Sequence, residues 1–278
     1  MQAMNKQYSV LLSLYYKEKP EYLRESLDSI FCQSYLSDDV VLVEDGNVGD
    51  VLEQVVKEYE AMYPQLHVVR FEKNRGLGYA LNDGLKECRH DIVARMDTDD
   101  ISKPERMEKQ VRYLMNHPDV DVVGTWIDEF MGDTAHVISS RKLPKCHPDI
   151  YSYGKKRNPM NHPSVMFRKN AVIAVGGYKH FLLFEDYYLW VRMLLNGARF
   201  ANLPESLLFF RTSPDMFRRR GGFAYAQVEM RFFMELKKLG YITMKETFMN
   251  VVRRLPIRIL PNALRNLIYK NIIRKHNK

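Results

Sequence analysis

In the first third of the chain, short and almost wholly apolar runs alternate with stretches whose apolar residues recur three or four apart. Few folds accept that rhythm. Residues 8–14, 40–43, 66–69 and 92–94 have the length of strands and offer no polar face. Between them, Leu23, Leu27 and Ile30, then Leu52, Val55, Val56 and Tyr59, then Leu77, Leu81 and Leu85 each stripe one side of a helix. Strands that are apolar on both sides must be covered on both sides, which requires a mostly parallel sheet flanked by helices. The expected class is therefore α/β, with a Rossmann-like sheet. Ligands of such sheets sit beyond the carboxyl ends of the strands. Polar residues collect there: Tyr15 to Glu18 after the first run, Glu44-Asp45-Gly46 after the second and Asp97-Thr98-Asp99-Asp100 after the fourth.

The last of these groups says most about chemistry. Closely spaced carboxylates repel one another at the end of a strand. A divalent cation bridging them to a diphosphate relieves that repulsion, because hard cations choose oxygen ligands. A plain turn, with Asp side chains capping backbone N–H groups, is the other reading. Asp45-Gly46 likewise fits a turn, or a carboxylate that accepts from a uracil N–H or a ribose. Residues 73–78, Lys-Asn-Arg-Gly-Leu-Gly, bring basic side chains to a helix start and favour an anion. They match neither the P-loop nor the dinucleotide fingerprint. Phe184-Glu185-Asp186-Tyr187 opens a helix among aromatic residues; the two acids either serve the helix dipole or supply a general base in a partly dry cleft. His162, within Asn161-His162-Pro163-Ser164, and the aromatic Trp190 are candidate sugar contacts. Arg218-Arg219-Arg220-Gly221-Gly222 reads either as a solvated linker or as a guanidinium clamp over a diphosphate.

Beyond Ser102 the pattern changes. Ser102 with Glu105 reads as a capping box for a helix to about residue 115. Residues 122–127 and 136–140 are strand-like, and a polar, Pro-containing stretch runs to His162. Residues 185–195 are helical with Gly197 as their stop, and 199–203 and 207–210 form two more apolar pieces. Three cysteines, Cys32, Cys88 and Cys146, lack metal-ligand spacing and fit a reducing compartment. No run of about 20 apolar residues crosses a membrane, and the polar start of the chain is no signal peptide, so a cytoplasmic protein is expected. Its net charge is +8. From residue 251 onward bases interleave with Leu and Ile and no acid occurs, a composition suited to an anionic membrane surface or to a solvated helix. No recognition-helix or stacking motif accompanies the charge, so nucleic acid is not an expected partner.

Several spaced segments together resemble the inverting, metal-dependent glycosyltransferases of family 2, which have a GT-A fold. They are residues 8–15, Val43-Glu44-Asp45-Gly46, residues 74–82, residues 94–100, residues 161–167, Gly176-Gly177-Tyr178 and residues 185–190. The resemblance spans roughly residues 8 to 220. It implies Asp99 and Asp97 as ligands of Mn2+ or Mg2+, and Asp186, with Glu185 beside it, as the catalytic base. It also implies donor contacts from Ser13, Tyr15, Glu18, Asp45, Arg75, Asp97, Arg219 and Arg220, and acceptor contacts from His162 and Trp190. Within the family the chain is most similar to bacterial enzymes that move a hexose from a UDP-sugar to a sugar on polyprenyl pyrophosphate, at the cytoplasmic face of the inner membrane. Expected boundaries are 1–105 for the nucleotide-sugar half, 106–215 for the acceptor and base half, and 216–278 for a helical basic region. A nucleotidyltransferase making nucleotide sugars is the nearest other enzyme class, although residues 13–20 lack its glycine-rich phosphate loop. A non-enzymatic membrane-binding protein is the third reading.

Overall fold

The computed structural model describes residues 7–213 and 221–259. Arg219, Arg220 and the basic tail past residue 259 lie outside that description. Four strands, β1 (Ser9–Leu14), β2 (Asp39–Glu44), β3 (Leu66–Arg70) and β4 (Ile92–Asp97), run parallel in the order β3-β2-β1-β4. They are joined by α1 (Pro20–Phe31), α2 (Asp50–Met62) and α3 (Leu77–Glu87). The sheet continues through β8 (Met166–Arg168), antiparallel to β4, then β6 (Val122–Phe130) and β9 (Phe200–Arg211). The two-residue β5 (Ile101–Ser102) closes that edge, and β7 (Val137–Arg141) pairs with β6.

The chain leaves β1 toward β2 and β3, then returns to lay β4 on the other side of β1. Strand order reverses there, and a crevice opens beyond the carboxyl ends of β1 and β4. Ser13 is in register with Asp97 across that crevice. The alternation of side chains along each strand divides the core in two. Leu12, Leu42 and Met96 face Leu23 and Leu27 of α1 and Met107 of α4 (Arg106–Asn116). Leu11, Val41 and Val43 face Leu81 of α3 and the second core cluster. Gly84 brings α3 close to the sheet, since a Cβ there would lie 2.5 Å from both Leu11 and Val43.

Three expectations change. The capping box at Ser102 does not form: Ser102 pairs with Leu208 in β5, Glu105 occupies the N-cap of α4, and the helix starts at Arg106. Pairing with β9 outcompetes the cap because it closes the acidic turn between β4 and β5. The pieces at 199–203 and 207–210 are one strand, β9, whose register against β6 shifts near Trp126. Pro204 falls at that irregularity, where a missing N–H costs no ladder bond. The polar stretch before His162 contains α5 (His147–Gly154).

The described part of the C-terminal region is helical and packs on the rest of the fold. After α6 (Lys169–Ile173) and α7 (Glu185–Leu195), helix α8 (Phe223–Lys238) drives Phe232, Phe233 and Leu236 into the core cluster that holds Phe184, Tyr187 and Trp190. Helix α9 (Met244–Ile259) packs on α8, and Arg258 of α9 donates to the buried Glu229 of α8 at 2.8 and 3.0 Å. Part of the basic character thus stabilises the interior. Among the described residues no helix is long and apolar enough to cross a membrane. Phe232→Ala should lower unfolding stability by about 3–5 kcal/mol in urea titrations, whereas a loosely attached helix would lose under about 1 kcal/mol.

Candidate active site

Strand β4 ends in Asp97, and the chain turns at once into β5. The turn is held from beneath by Arg211 at the end of β9. Its backbone N–H donates to Asp100 Oδ1 at 2.8 Å, and its Nε donates to the Asp99 carbonyl at 2.8 Å. The Arg211 guanidinium also pairs with Glu25 and lies over the rings of Tyr22 and Phe130, at 3.9 and 4.6 Å. So fixed, one carboxylate oxygen each of Asp97, Asp99 and Asp100 falls within 4.8 Å of the others.

That crowding has an electrostatic consequence. Burial, with the charges of Asp97 and Glu18 added, pushes the Asp99 carboxyl up to about 7. Burial, with Asp99 and Asp97 added, holds Asp100 well above the usual carboxylate range. Asp100 Oδ2 is buried without a donor. Glu18 is raised too, chiefly by burial, although the Thr98 hydroxyl donates to it at 3.2 Å. An all-oxygen set short of positive charge, with a free buried acceptor, fits a hard divalent cation such as Mg2+ or Mn2+. Asp99 and Asp97 are the residues that would hold it.

Asp45 follows β2 on the same edge, 3% exposed. Its carboxylate accepts the backbone N–H groups of Arg75 at 2.7 Å and Gly76 at 2.9 Å, so it anchors the basic loop at the start of α3. Any nucleobase contact by Asp45 shares the carboxylate with that loop. Gly46 is obligatory beside it: φ is +87°, and a Cβ would lie 2.4 Å from the Asn74 nitrogen. Arg75 itself donates to Asp83 at 2.9 Å and stacks on Phe71 and Tyr79. With Gly78, Tyr178 and Glu185 it lines a cavity of about 380 Å³. Ser13 is half-buried and Tyr15 is exposed at the end of β1.

The second acidic pair reaches the cleft from α7. Leu183 adopts a left-handed φ of 70°, a conformation uncommon for any residue with a side chain, two positions before Glu185. The bend sends Glu185 to the cavity wall and Asp186 inward. Asp186 accepts from Asn158 Nδ2 at 2.6 Å and from the Tyr187 N–H at 2.7 Å. Burial nevertheless raises its carboxyl above the ordinary value, and Glu185 is raised by burial and by the Asp186 charge. Both are therefore stronger bases than free carboxylates.

Arg95 joins the two halves. It sits in β4, 1% exposed, and its Nη2 donates to Asp97. The same positive charge works against the rises at Asp99, Asp100 and Asp186. Its Nε and Nη1 are buried without partners. Two expected acceptor contacts are corrected here. Trp190 is 0% exposed, edge-on to Phe200 in the core. His162 is 8% exposed, kept neutral by burial, and hydrogen-bonded to the Tyr178 hydroxyl at 2.8 Å. Both form the floor beneath the cleft, because a ring at that depth excludes water from the strands rather than meeting a sugar. Arg95, Asn158 and Arg211 were not among the expected site residues. Only Arg95 left a signal, as a charge inside a doubly buried strand.

A sheet with an acidic turn at its switch point, faced by a carboxylate pair at a helix start, is the architecture of a GT-A glycosyltransferase. The chain belongs to Glycosyl transferase family 2, whose profile matches residues 9–181. It is 42% identical over 258 residues to the amylovoran biosynthesis glycosyltransferase AmsE of Erwinia amylovora, covering 91% of this chain and 96% of AmsE. It is 36% identical over 268 residues to an Escherichia coli UDP-Gal:alpha-D-GlcNAc-diphosphoundecaprenol beta-1,3-galactosyltransferase, covering 96% and 97% of the two chains. Among solved structures it resembles the mannosyltransferase PcManGT of Pyrobaculum calidifontis in complex with GDP-Man and Mn2+. That likeness has a TM-score of 0.65 at 16% identity and covers 98% of this chain and 84% of the other. Family membership makes the protein an enzyme and replaces the nucleotidyltransferase and non-enzymatic readings.

The raised Asp99 carboxyl fixes the sign of a pH effect. From about pH 4, where the unfolded residue ionises, to about 7, the folded protein holds the proton more tightly, so the metal-free fold loses stability as pH rises. Thermal melts should show Mn2+ raising Tm more at pH 8 than at pH 5. Asp99→Asn should raise the metal-free Tm at pH 8 and abolish most of the Mn2+ shift; an unchanged Mn2+ shift in that variant would remove Asp99 as a ligand.

Proposed function

We propose that this enzyme moves a hexose, glucose or galactose, from a UDP-sugar to a sugar carried on polyprenyl pyrophosphate, with inversion at the anomeric carbon. The reaction serves assembly of bacterial surface polysaccharide, O-antigen or exopolysaccharide. The acceptor keeps the enzyme at the cytoplasmic face of the inner membrane. One observation carries the reading: the buried Arg95 lies close enough to act both on the carboxyls of the acidic turn, Asp99 and Asp100, and on Asp186 beside Glu185. Relatives supply the substrates. The Escherichia coli relative is named for UDP-Gal and a diphosphoundecaprenol-linked GlcNAc, whereas the GDP-Man neighbour shares the fold alone at 16% identity.

The donor lies along the strand ends, its base near Asp45 and Arg75 and its ribose near Ser13, Tyr15 and Glu18. Asp99 and Asp97 would hold a divalent cation. When bound, that cation supplies positive charge against the negative charge growing on the departing UDP. Asp97 is held in place by Arg95, and Asp100 is tied to Arg211, so the turn keeps its shape during turnover. Asp186, oriented by Asn158, accepts the proton of the acceptor hydroxyl as its oxygen attacks the anomeric carbon. The bond from that carbon to the UDP oxygen breaks on the opposite face. Raised basicity at Asp186 matches this task, while Arg75 closes the donor side beside Glu185.

Asp186→Asn should cut kcat by about 10²–10⁴-fold while leaving UDP affinity within a factor of about two. In the wild type, kcat should climb with pH until above the ordinary Asp range near 3.9, because the base works only when ionised and its proton is held more tightly than usual. Hydrolysis and transfer measured over a panel of UDP- and GDP-sugars, with and without Mn2+, test the donor. Preference for a GDP-sugar, or full turnover in EDTA, would contradict the proposal.

A further inference from the structure

Away from the donor cleft, a second cavity of about 210 Å³ lies between the end of α5 and one side of α9. Its lining includes four cations, Lys155, Lys156, Lys245 and Arg253, and a single carboxylate, Glu246. That carboxylate is already engaged. It accepts the Thr243 backbone N–H at 2.7 Å and the Thr243 hydroxyl at 3.0 Å, while the Glu246 N–H donates back to the same hydroxyl at 3.2 Å. This is a capping box, and it holds Glu246 below the ordinary carboxylate range. Lys155 also donates to Glu246 at 3.2 Å. The cavity therefore carries an excess of positive charge and needs an anion.

Its position says which anion. The backbone of 154–158 connects it to the catalytic base: Tyr187 donates to the Gly154 carbonyl, Asn250 of α9 to the Lys155 carbonyl at 2.8 Å, and Asn158 to Asp186 at 2.6 Å. From Lys155 to Asn158 the chain can span at most about 11 Å. In an acceptor whose first sugar is joined to pyrophosphate, a single ring separates the attacking hydroxyl from the phosphates. A basic cavity joined by so short a stretch of chain to the partner of Asp186 is suited to receive those phosphates. The outer side of the same helix supports this direction of approach. Met244, Phe248 and Val252, at 63%, 65% and 50% exposure, are spaced by four and form one apolar stripe next to Lys245 and Arg253. Apolar residues flanked by bases suit the surface of a bilayer.

We propose that Lys155, Lys156, Lys245 and Arg253 form the binding site for the acceptor's pyrophosphate, with the Met244-Phe248-Val252 stripe resting on the membrane that holds its lipid. The site rests on the lipid-linked acceptor argued above and adds where its charged group binds. Lys245 and Arg253 are exposed, and substituting them leaves the core contacts of α9 intact.

The test is binding of geranyl pyrophosphate in detergent, with EDTA present so that the acidic turn cannot hold the probe through a cation. The full chain should bind the probe, and K245Q/R253Q should bind it about tenfold or more weakly, the loss of at least one charge-assisted hydrogen bond. Its affinity for phosphatidylglycerol vesicles should fall by a clearly smaller factor. In transfer assays the variant's KM should rise more for a lipid-pyrophosphate acceptor than for a methyl glycoside of the same sugar. Unchanged probe affinity would overturn the site. Equal loss on phosphatidylglycerol would reassign it to bulk lipid headgroups and overturn it as an acceptor site. Failure of the wild type to use any UDP-sugar, with probe binding still lost in the variant, would instead overturn the proposed transfer reaction and leave the phosphate site standing.

Discussion

The molecule is organised around a concentration of negative charge that its own fold only partly neutralises. Asp97, Asp99 and Asp100 are packed at the end of a buried strand, and the nearest compensating charge, Arg95, is itself buried. Arg95 pairs directly with Asp97 alone. Burial, with the remaining repulsion added to it, makes the Asp99 and Asp100 carboxyls hold their protons more tightly than usual. A buried ion group of this kind contributes little to stability by itself. Its retention makes physical sense when another cation completes it, and the pairing of β5 with β9 and the bonds from Arg211 prevent the turn from opening to relieve the strain.

Backbone devices, more than side chains, set the rest of the cleft. Asp45 is spent on two loop N–H groups, so that the basic residues at the start of α3 stand still beside the donor edge. The left-handed Leu183 turns the chain so that Glu185 and Asp186 point to different places, and Asn158 then fixes Asp186. Since Asn158 is a short step along the chain from Lys155, Asp186 and the basic cavity share one supporting segment.

How much of this was legible depended on what each element obeys locally. Strands β1 to β4 could be read because a doubly covered parallel strand must be apolar throughout, and α7 could be read from its periodicity with Gly197 as its stop. Ser102 misled, since a local cap signal lost to a two-residue pairing with β9, a partner more than one hundred residues away. Trp190 and His162 misled for another reason: aromatic residues near a catalytic pair look alike in sequence whether they face a ligand or support the floor, and only burial separates them. The acidic motifs were visible because charge at a strand end is costly. Asn158 and Arg211 act through partners far away in the sequence and leave no local mark.

The most direct test of the central claim is an anomalous difference map from crystals grown with UDP and Mn2+, collected at the manganese edge. The account predicts one strong peak in contact with the Asp99 carboxylate and the UDP diphosphate together. Ordered UDP along the strand ends with no peak at that turn, or with manganese bound elsewhere, would contradict it.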